Sequence, residues 1–500
     1  MNSPSGKYFL DPRFWLVAGL VLLPFILTNE SLSLDEGDTA VYAIQPDFHS
    51  WWIHLRQDLL ADCQMPLSMF FAWLGGRLLG TGEWQMRAVN LLWGALALGG
   101  MYRIGRQLRL PWLPLLLAIQ PYFWFYLNEA RPYALQLACG TWLLGAFVEF
   151  YTHKATGESW AWLLVIAAFF LFLSTLLAPL PIAATVVAGV IAALFGRWKP
   201  GRKAILILLA GAVVNIPTAI YYFSTLQRGV KSAQLWHVDL KYFGYVIYEL
   251  TGMTGLGLPT EEIRLLARSP HLLHALAPHW EQFALPALGF VLLLAVMILG
   301  LRRRPSSVPP GLPGGLVLVL GVTALVFIAV SLGLQKAFWA RHLAPVFPFY
   351  LTLLGIALAS ATGSFKPAAK WIPFLLCALL ALSDLNLRLS PSWRNEDYRS
   401  AAQYARHALA ENKTVWWVAG GCCATYYHVD YVDSLAEPGK ATRPRLGDAK
   451  ILQPPDVIIY SKGDVHDEDS AVQKIIEQNN YQPAVRYKSF VIWLKPATNN

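Results

Sequence analysis

Long apolar runs alternate with short polar connections through most of this chain. Lys7 and Arg13 precede an apolar run from Phe14 to Thr28. It has the layout of a signal peptide, but no small-residue cleavage site follows, so an uncleaved first membrane span is expected. Further spans fall at about 85–102, 110–127, 132–151, 160–177, 179–196, 204–223, 284–301, 312–333, 338–360 and 370–387. Each is near the ~20 residues that a bilayer core requires, and the total is about eleven. Alternate connections hold the cations: Arg103, Arg106 and Arg109; Lys154; Arg197, Lys199, Arg202 and Lys203; Arg302, Arg303 and Arg304; Lys366 and Lys370. Basic short loops stay in the cytoplasm, so the N-terminus is expected inside and the C-terminus outside.

Two outer segments break the pattern early. SLSLDEGDTAVY, Ser31 to Tyr42, reads as a short loop after the first span. From there to about Trp84 apolar and aromatic residues recur at helical spacing but are interrupted by His49, His54, Arg56, Asp58 and Asp62, which suits helices lying in the interface rather than a span. A polar loop at 224–283 carries Arg228, Lys231, His237 and Glu249. Beyond 390 the composition changes. NEDYRSAAQYARHALAEN and EDSAVQKIIEQN have helical period, whereas TVWWVAGG, DVIIYS and RYKSFVIWL read as strands, giving a small α/β domain over 391–500 after a membrane domain over 1–390. The expected fold class is therefore an all-α polytopic membrane domain with interfacial helices and a C-terminal extracytoplasmic α/β domain.

Composition agrees. With 55% hydrophobic and 14% charged residues the chain is too apolar for a soluble enzyme of this length. The net charge of +9 sits in the short connections, with no basic groove or stacking platform, which argues against nucleic acid as a partner. Cys139 and Cys377 lie in apolar spans, Cys63 stands alone, and the adjacent Cys422 and Cys423 are too close for an ordinary disulfide.

Candidate chemistry gathers at the outer face of this topology. Asp35 and Glu36 are adjacent acids at the end of a span, where repulsion and partial desolvation suit a general base; an acidic loop that orients the span is the alternative. In LNEARPYAL, Pro132 opens a helix with Glu129, Arg131 and Tyr133 at its start, an arrangement able to hold an anion or to form only a Glu129–Arg131 ion pair. KAFWARHLAPVFPFY places Lys336, Arg341 and His342 before a span that Pro345 and Pro348 are expected to kink. Those cations suit phosphate, or simply snorkel to the interface. Asp62, Glu83 and Arg87 are further outer-face charges, with structural roles as the alternative, and PYFWFY at 121–126 reads as an aromatic belt. No His, Cys, Asp and Glu spacing suggests a metal, and no cofactor is expected.

The DE pair after the first span, the interfacial Pro66-Leu67 segment, GEWQMRAVN, RIGRQL, NEARPYAL and RHLAPVFP occur in an order that resembles the GT-C fold membrane glycosyltransferases of the protein mannosyltransferase and aminoarabinose transferase superfamily. The resemblance covers about residues 10–360. It departs at Cys63-Gln64-Met65-Pro66-Leu67, where relatives commonly carry a His-Pro-Pro-Leu-like run.

The resemblance implies an inverting transfer of a sugar from a polyprenyl phosphate, in a bacterium undecaprenyl phosphate, to a hydroxyl of a lipid, glycan or protein outside the inner membrane. It makes Asp35, with Glu36 beside it, the catalytic acid pair. Arg131, Arg341 and Lys336 become the phosphate-binding cations, and Asp62, Glu129, Tyr133, Arg87 and His342 possible substrate contacts. A lipid-linked-sugar flippase is the rival; it needs polar groups through the bilayer, and Gln120 and Asn215 are few for that.

Overall fold

A computed structural model of the chain describes residues 11–58, 61–196, 198–232, 238–259, 262, 263, 266, 272–302, 305–335, 339–364, 370–434, 436–444 and 452–496. The described chain is mostly helical, with one six-stranded sheet. It divides into two compact units, 1–27 with 58–68 and 87–393, and 28–57 with 69–86 and 394–500. The second unit thus begins its last segment close to the expected boundary at 391, but it also takes in most of the first outer loop.

Among the described residues of the first unit six helices are long and apolar enough to cross a membrane: Tyr133–Thr152, Pro179–Gly196, Arg202–Leu226, His274–Leu301, Leu312–Leu334 and Trp371–Leu389. Shorter apolar helices run Pro12–Ile26, Ser159–Ser174 and Phe347–Ala361. These make the chain an integral membrane protein. The Tyr133–Thr152 helix is central, with 94% of its apolar window buried, against 17% for Arg202–Leu226. Leu194, Phe195 and Phe223 stand exposed on the outer helices, where lipid rather than water is the apolar solvent.

Several expected spans differ in detail. The run 110–127 is not one span but two short helices, Leu113–Ala118 and Pro121–Leu127, because Pro121 cannot donate to the preceding turn. Before Phe347 the chain forms a tight 3-10 turn, Ala340–Leu343, so Pro345 and Pro348 lie at a break rather than a kink. PYFWFY is core rather than belt: Tyr122, Phe123, Trp124 and Tyr126 are buried, and of its aromatic rings Phe125 alone is exposed. The central helix approaches the break closely at Gly140, where a Cβ would lie 2.1 Å from the Pro345 carbonyl oxygen. Only glycine allows that approach, which brings the Arg341 turn beside the helix that starts at Tyr133.

The second unit contains a sheet in the order β2-β3-β1-β4-β6-β5. Its strands are β1 (Val415–Val418), β2 (Tyr431–Asp433), β3 (Ala441–Arg443), β4 (Val457–Ser461), β5 (Gln482–Tyr487) and β6 (Phe490–Leu494). The first four pair in parallel and β6 runs antiparallel to β4 and β5. The expected closing strand RYKSFVIWL is a hairpin, since Lys488 and Ser489 turn the chain between β5 and β6. In β1 alternate residues face opposite ways, as the pleat requires. Val415 and Trp417 pack with Ala401, Ala402 and Ala405 of the Tyr398–Ala410 helix, and Trp416 and Val418 with Ala471, Val472 and Ile476 of the Ala471–Gln478 helix. Helices on both faces explain why VWWV is apolar throughout.

SLSLDEGDTAVY is not a loop. Leu34–Ala43 is a helix, and Ser33 and Glu36 form a reciprocal capping box at its start. The interfacial stretch is helical as expected, at Phe48–Gln57 and Pro66–Leu79, and Phe48, Trp51, Phe70 and Trp73 form an aromatic cluster.

Candidate active site

The first unit builds a charged site at the start of its most buried helix. Pro132 occupies the N-cap of Tyr133–Thr152 and makes no side-chain cap hydrogen bond to the positive end of the helix. Arg131, immediately before it, places Nη1 2.8 Å from Asp62 Oδ1, with only 8% and 4% of the two side chains exposed. Asn90 Nδ2 donates to the carbonyls of Leu127 at 3.1 Å and Glu129 at 2.6 Å, fixing the bend that presents Arg131. Arg87, one helical turn before Asn90, is fully buried.

Arg341 lies 5.7 Å from the centre of the Tyr133 ring. Tyr133 in turn meets Tyr126 edge-on at 5.1 Å. Tyr122 stacks on Phe347 at 4.2 Å and donates to the Ala340 carbonyl at 2.9 Å, tying the Arg341 turn to the Pro121–Leu127 helix. His342 lies beside Arg341 with Nδ1 3.1 Å from the Trp339 carbonyl, a local turn contact. Lys336 lies outside the described residues.

Glu249, which sequence reading left among the polar residues of the 224–283 loop, belongs to this group. Its helix, Leu240–Leu250, is capped by Asp239. Tyr126 donates its phenol to Glu249 Oε1 at 2.5 Å. Burial holds the Glu249 carboxyl up at about 7, against the Tyr126 hydrogen bond and the positive charge of Arg341, both of which pull it down. The sequence signal for it is a single acid inside the otherwise aromatic and aliphatic run YFGYVIYEL. The cavity lined by Tyr122, Phe125, Tyr126, Glu249, Thr254 and Trp393 is only about 10 Å³, room for about one water and not for a sugar.

Asp35 and Glu36 are in the second unit. Glu36 is fully buried, and it is occupied: Oε2 accepts from the Ser33 backbone at 2.9 Å and from Asn395 Nδ2 at 3.1 Å. Glu36 therefore has a structural use, closing the start of the helix, rather than standing beside Asp35 as a second free acid. Asp35 is in the same first turn. Glu83 belongs to this unit too, pairing with Arg399 at 2.8 Å.

Asp62, Glu129, Arg131, Tyr133, Arg87 and Arg341 thus come from one unit, Asp35 and Glu36 from the other. Chemically, the first set brings together three guanidinium groups, one of them immediately before a helix N-terminus and paired with Asp62, among acidic and aromatic side chains. Among the described residues no group of three or more His, Cys, Asp and Glu could hold a metal ion.

Comparison with known proteins gives the fold. No family model matches the chain, and no curated protein matches it. Among solved structures, apo ArnT from Cupriavidus metallidurans is similar over 99% of both chains at 14% identity, with a TM-score of 0.53. The same protein bound to undecaprenyl phosphate gives 0.48 over 99% of both chains at 14% identity. The apo oligosaccharyltransferase of Archaeoglobus fulgidus gives 0.48 at 13% identity, covering 97% of this chain and 75% of that one. The likeness to apo ArnT is the one that supports the fold assignment here: this chain has the GT-C fold of membrane glycosyltransferases.

Proposed function

We propose that the chain is an integral membrane glycosyltransferase that moves a sugar from a polyprenyl phosphate to an acceptor hydroxyl. The observation that carries this reading is the buried Arg131–Asp62 pair at an uncapped helix start, with Arg341 against Tyr133 beside it. An ionisable group buried inside a membrane protein is a functional-site candidate by default. The GT-C fold, and a structural neighbour whose ligand is undecaprenyl phosphate, make a lipid phosphate the anion of choice.

In the reaction, Asp35 takes the proton of the acceptor hydroxyl as its oxygen attacks the anomeric carbon. The bond from that carbon to the phosphate oxygen breaks, its electron pair leaves with the lipid phosphate, and the single displacement inverts the centre. The departing group changes from a phosphodiester monoanion towards a monoester dianion. Arg131 and Arg341 therefore stabilise the transition state more than the ground state. Acceptor classes compatible with this are a lipid, a glycan or a protein, at the outer face of a bacterial inner membrane.

Asp35→Asn keeps size and hydrogen-bonding capacity but removes the base. It is expected to lower transfer by about 10²–10⁴-fold while the protein still inserts and elutes as the wild type does. Unchanged transfer by that variant, measured by mass spectrometry of the acceptor, removes Asp35 from the role.

A further inference from the structure

The start of the helix that carries Asp35 is held by the α/β domain of its own unit. The Leu34 N–H, the first peptide donor of the helix, gives its hydrogen bond to Glu396 Oε2 at 3.0 Å. The other oxygen of Glu396 meets Lys462 Nζ, and Lys462 sits just past β4 in a left-handed backbone conformation, φ 42°. The neighbouring Asn395 donates through Nδ2 to Glu36 and to the Ser31 carbonyl. Tyr427 accepts from the Leu32 N–H at 2.8 Å, and Arg399 Nη2 donates to the Asn29 carbonyl at 2.8 Å. Closeness is built in as well: a Cβ on Gly37 would lie 2.3 Å from Cys423 Sγ, so the helix lies directly on the Gly421–Tyr426 helix. Residues between 395 and 462 thus grip 29–37 at each turn of the chain.

This arrangement sets charge as well as place. Glu36 and Asp38 share the helix with Asp35; Glu396 and Lys462 face its start from the domain, with the buried Cys423 and Tyr398 alongside, both of which feel Glu396 and Asp38. Resting on the reading of Asp35 as the base, we propose that Glu396 and Lys462 are positioning residues for it: the domain sets the height and the charge environment of the helix that presents the base. Glu396 adds negative charge at the helix start and Lys462 offsets it, so the two have opposite effects on how readily a nearby carboxyl ionises.

The test uses the full chain in phospholipid nanodiscs, with the polyprenyl-phosphate sugar purified from cells that lack the gene. Glu396→Gln is expected to lower kcat about tenfold or more with donor KM unchanged. It should also move the acid limb of the kcat profile to lower pH. Lys462→Met should move that limb to higher pH, each by some tenths of a unit to about one unit. Asn395→Ala, which removes no charge, should lower kcat without moving the limb. If Glu396→Gln does not fold, Lys462→Met and Asn395→Ala carry the test alone. Limbs that stay put, or move the same way in both charge variants, overturn the proposal; so does unchanged kcat in all three. An active Asp35→Asn sinks the base itself, whereas an inactive Asp35→Asn with unmoved limbs sinks only the positioning.

Discussion

Two helices begin with charged residues, and they begin differently. Leu34–Ala43 starts closed: Ser33, Glu36 and Glu396 satisfy its first peptide groups. Tyr133–Thr152 starts open at its cap, where Pro132 makes no side-chain hydrogen bond, while Arg131 stands just before it in a buried pair with Asp62. A closed start has spent its dipole on its own chain and serves to fix whatever it carries. An open start beside a guanidinium keeps its field for something that arrives from outside.

The largest structural effect should come from the open start. Asp62→Asn removes the carboxylate charge opposite Arg131 in a site that water does not reach, and should destabilise the protein by about 3–5 kcal/mol. Adding Arg131→Met should restore much of that loss, since a charge pair exchanged for apolar volume is close to neutral. Denaturation of the purified variants reads both; equal losses in the single and double variants would contradict a buried pair.

Glu249 comes next. Its carboxyl is raised from 4.5 to about 7 by burial, so its neutral form is favoured on folding. The stability it contributes is fully present below pH 4.5 and lost as pH rises to about 7, a change of roughly 3 kcal/mol. Glu249→Gln should flatten that part of the stability profile, measured as Tm at pH 5 and pH 8; an unchanged slope would place the titration elsewhere.

The closed start should be more forgiving. Ser33→Ala opens one side of the capping box and should cost about 1 kcal/mol, seen as a modest drop in Tm. Arg399→Ala breaks the pair with Glu83, in which the arginine is 45% exposed, and the bond to the Asn29 carbonyl, and should cost about 1 kcal/mol. An unchanged Tm in Ser33→Ala would show that the cap does not fix this helix.

Much of the fold was legible because a bilayer imposes its thickness on the sequence. Apolar runs near Tyr133, Pro179, Leu312 and Trp371 became helices within a residue or two of where they were expected. Pro121 marked the place where an apparent span divides, and the separation between Ser33 and Glu36 is a capping-box signature that foretold the helix read as a loop. The strands β2 and β3, three residues each, are too short to show a period, and they were missed.

The candidate site was legible only in part. Asp62, Arg131 and Arg341 were recognisable because an ionised group beside an apolar run needs a reason to be there. That Arg131 chooses Asp62, 69 positions earlier in the chain, and that Tyr126 reaches Glu249, are choices no periodicity encodes. Local chemistry determined the helices, their caps and the membrane character of this protein, since those depend on neighbours three or four residues away. Which charges share a buried space was decided by tertiary packing. Desolvation and ion pairing depend on what lies within a few ångströms in space, whatever its distance along the chain.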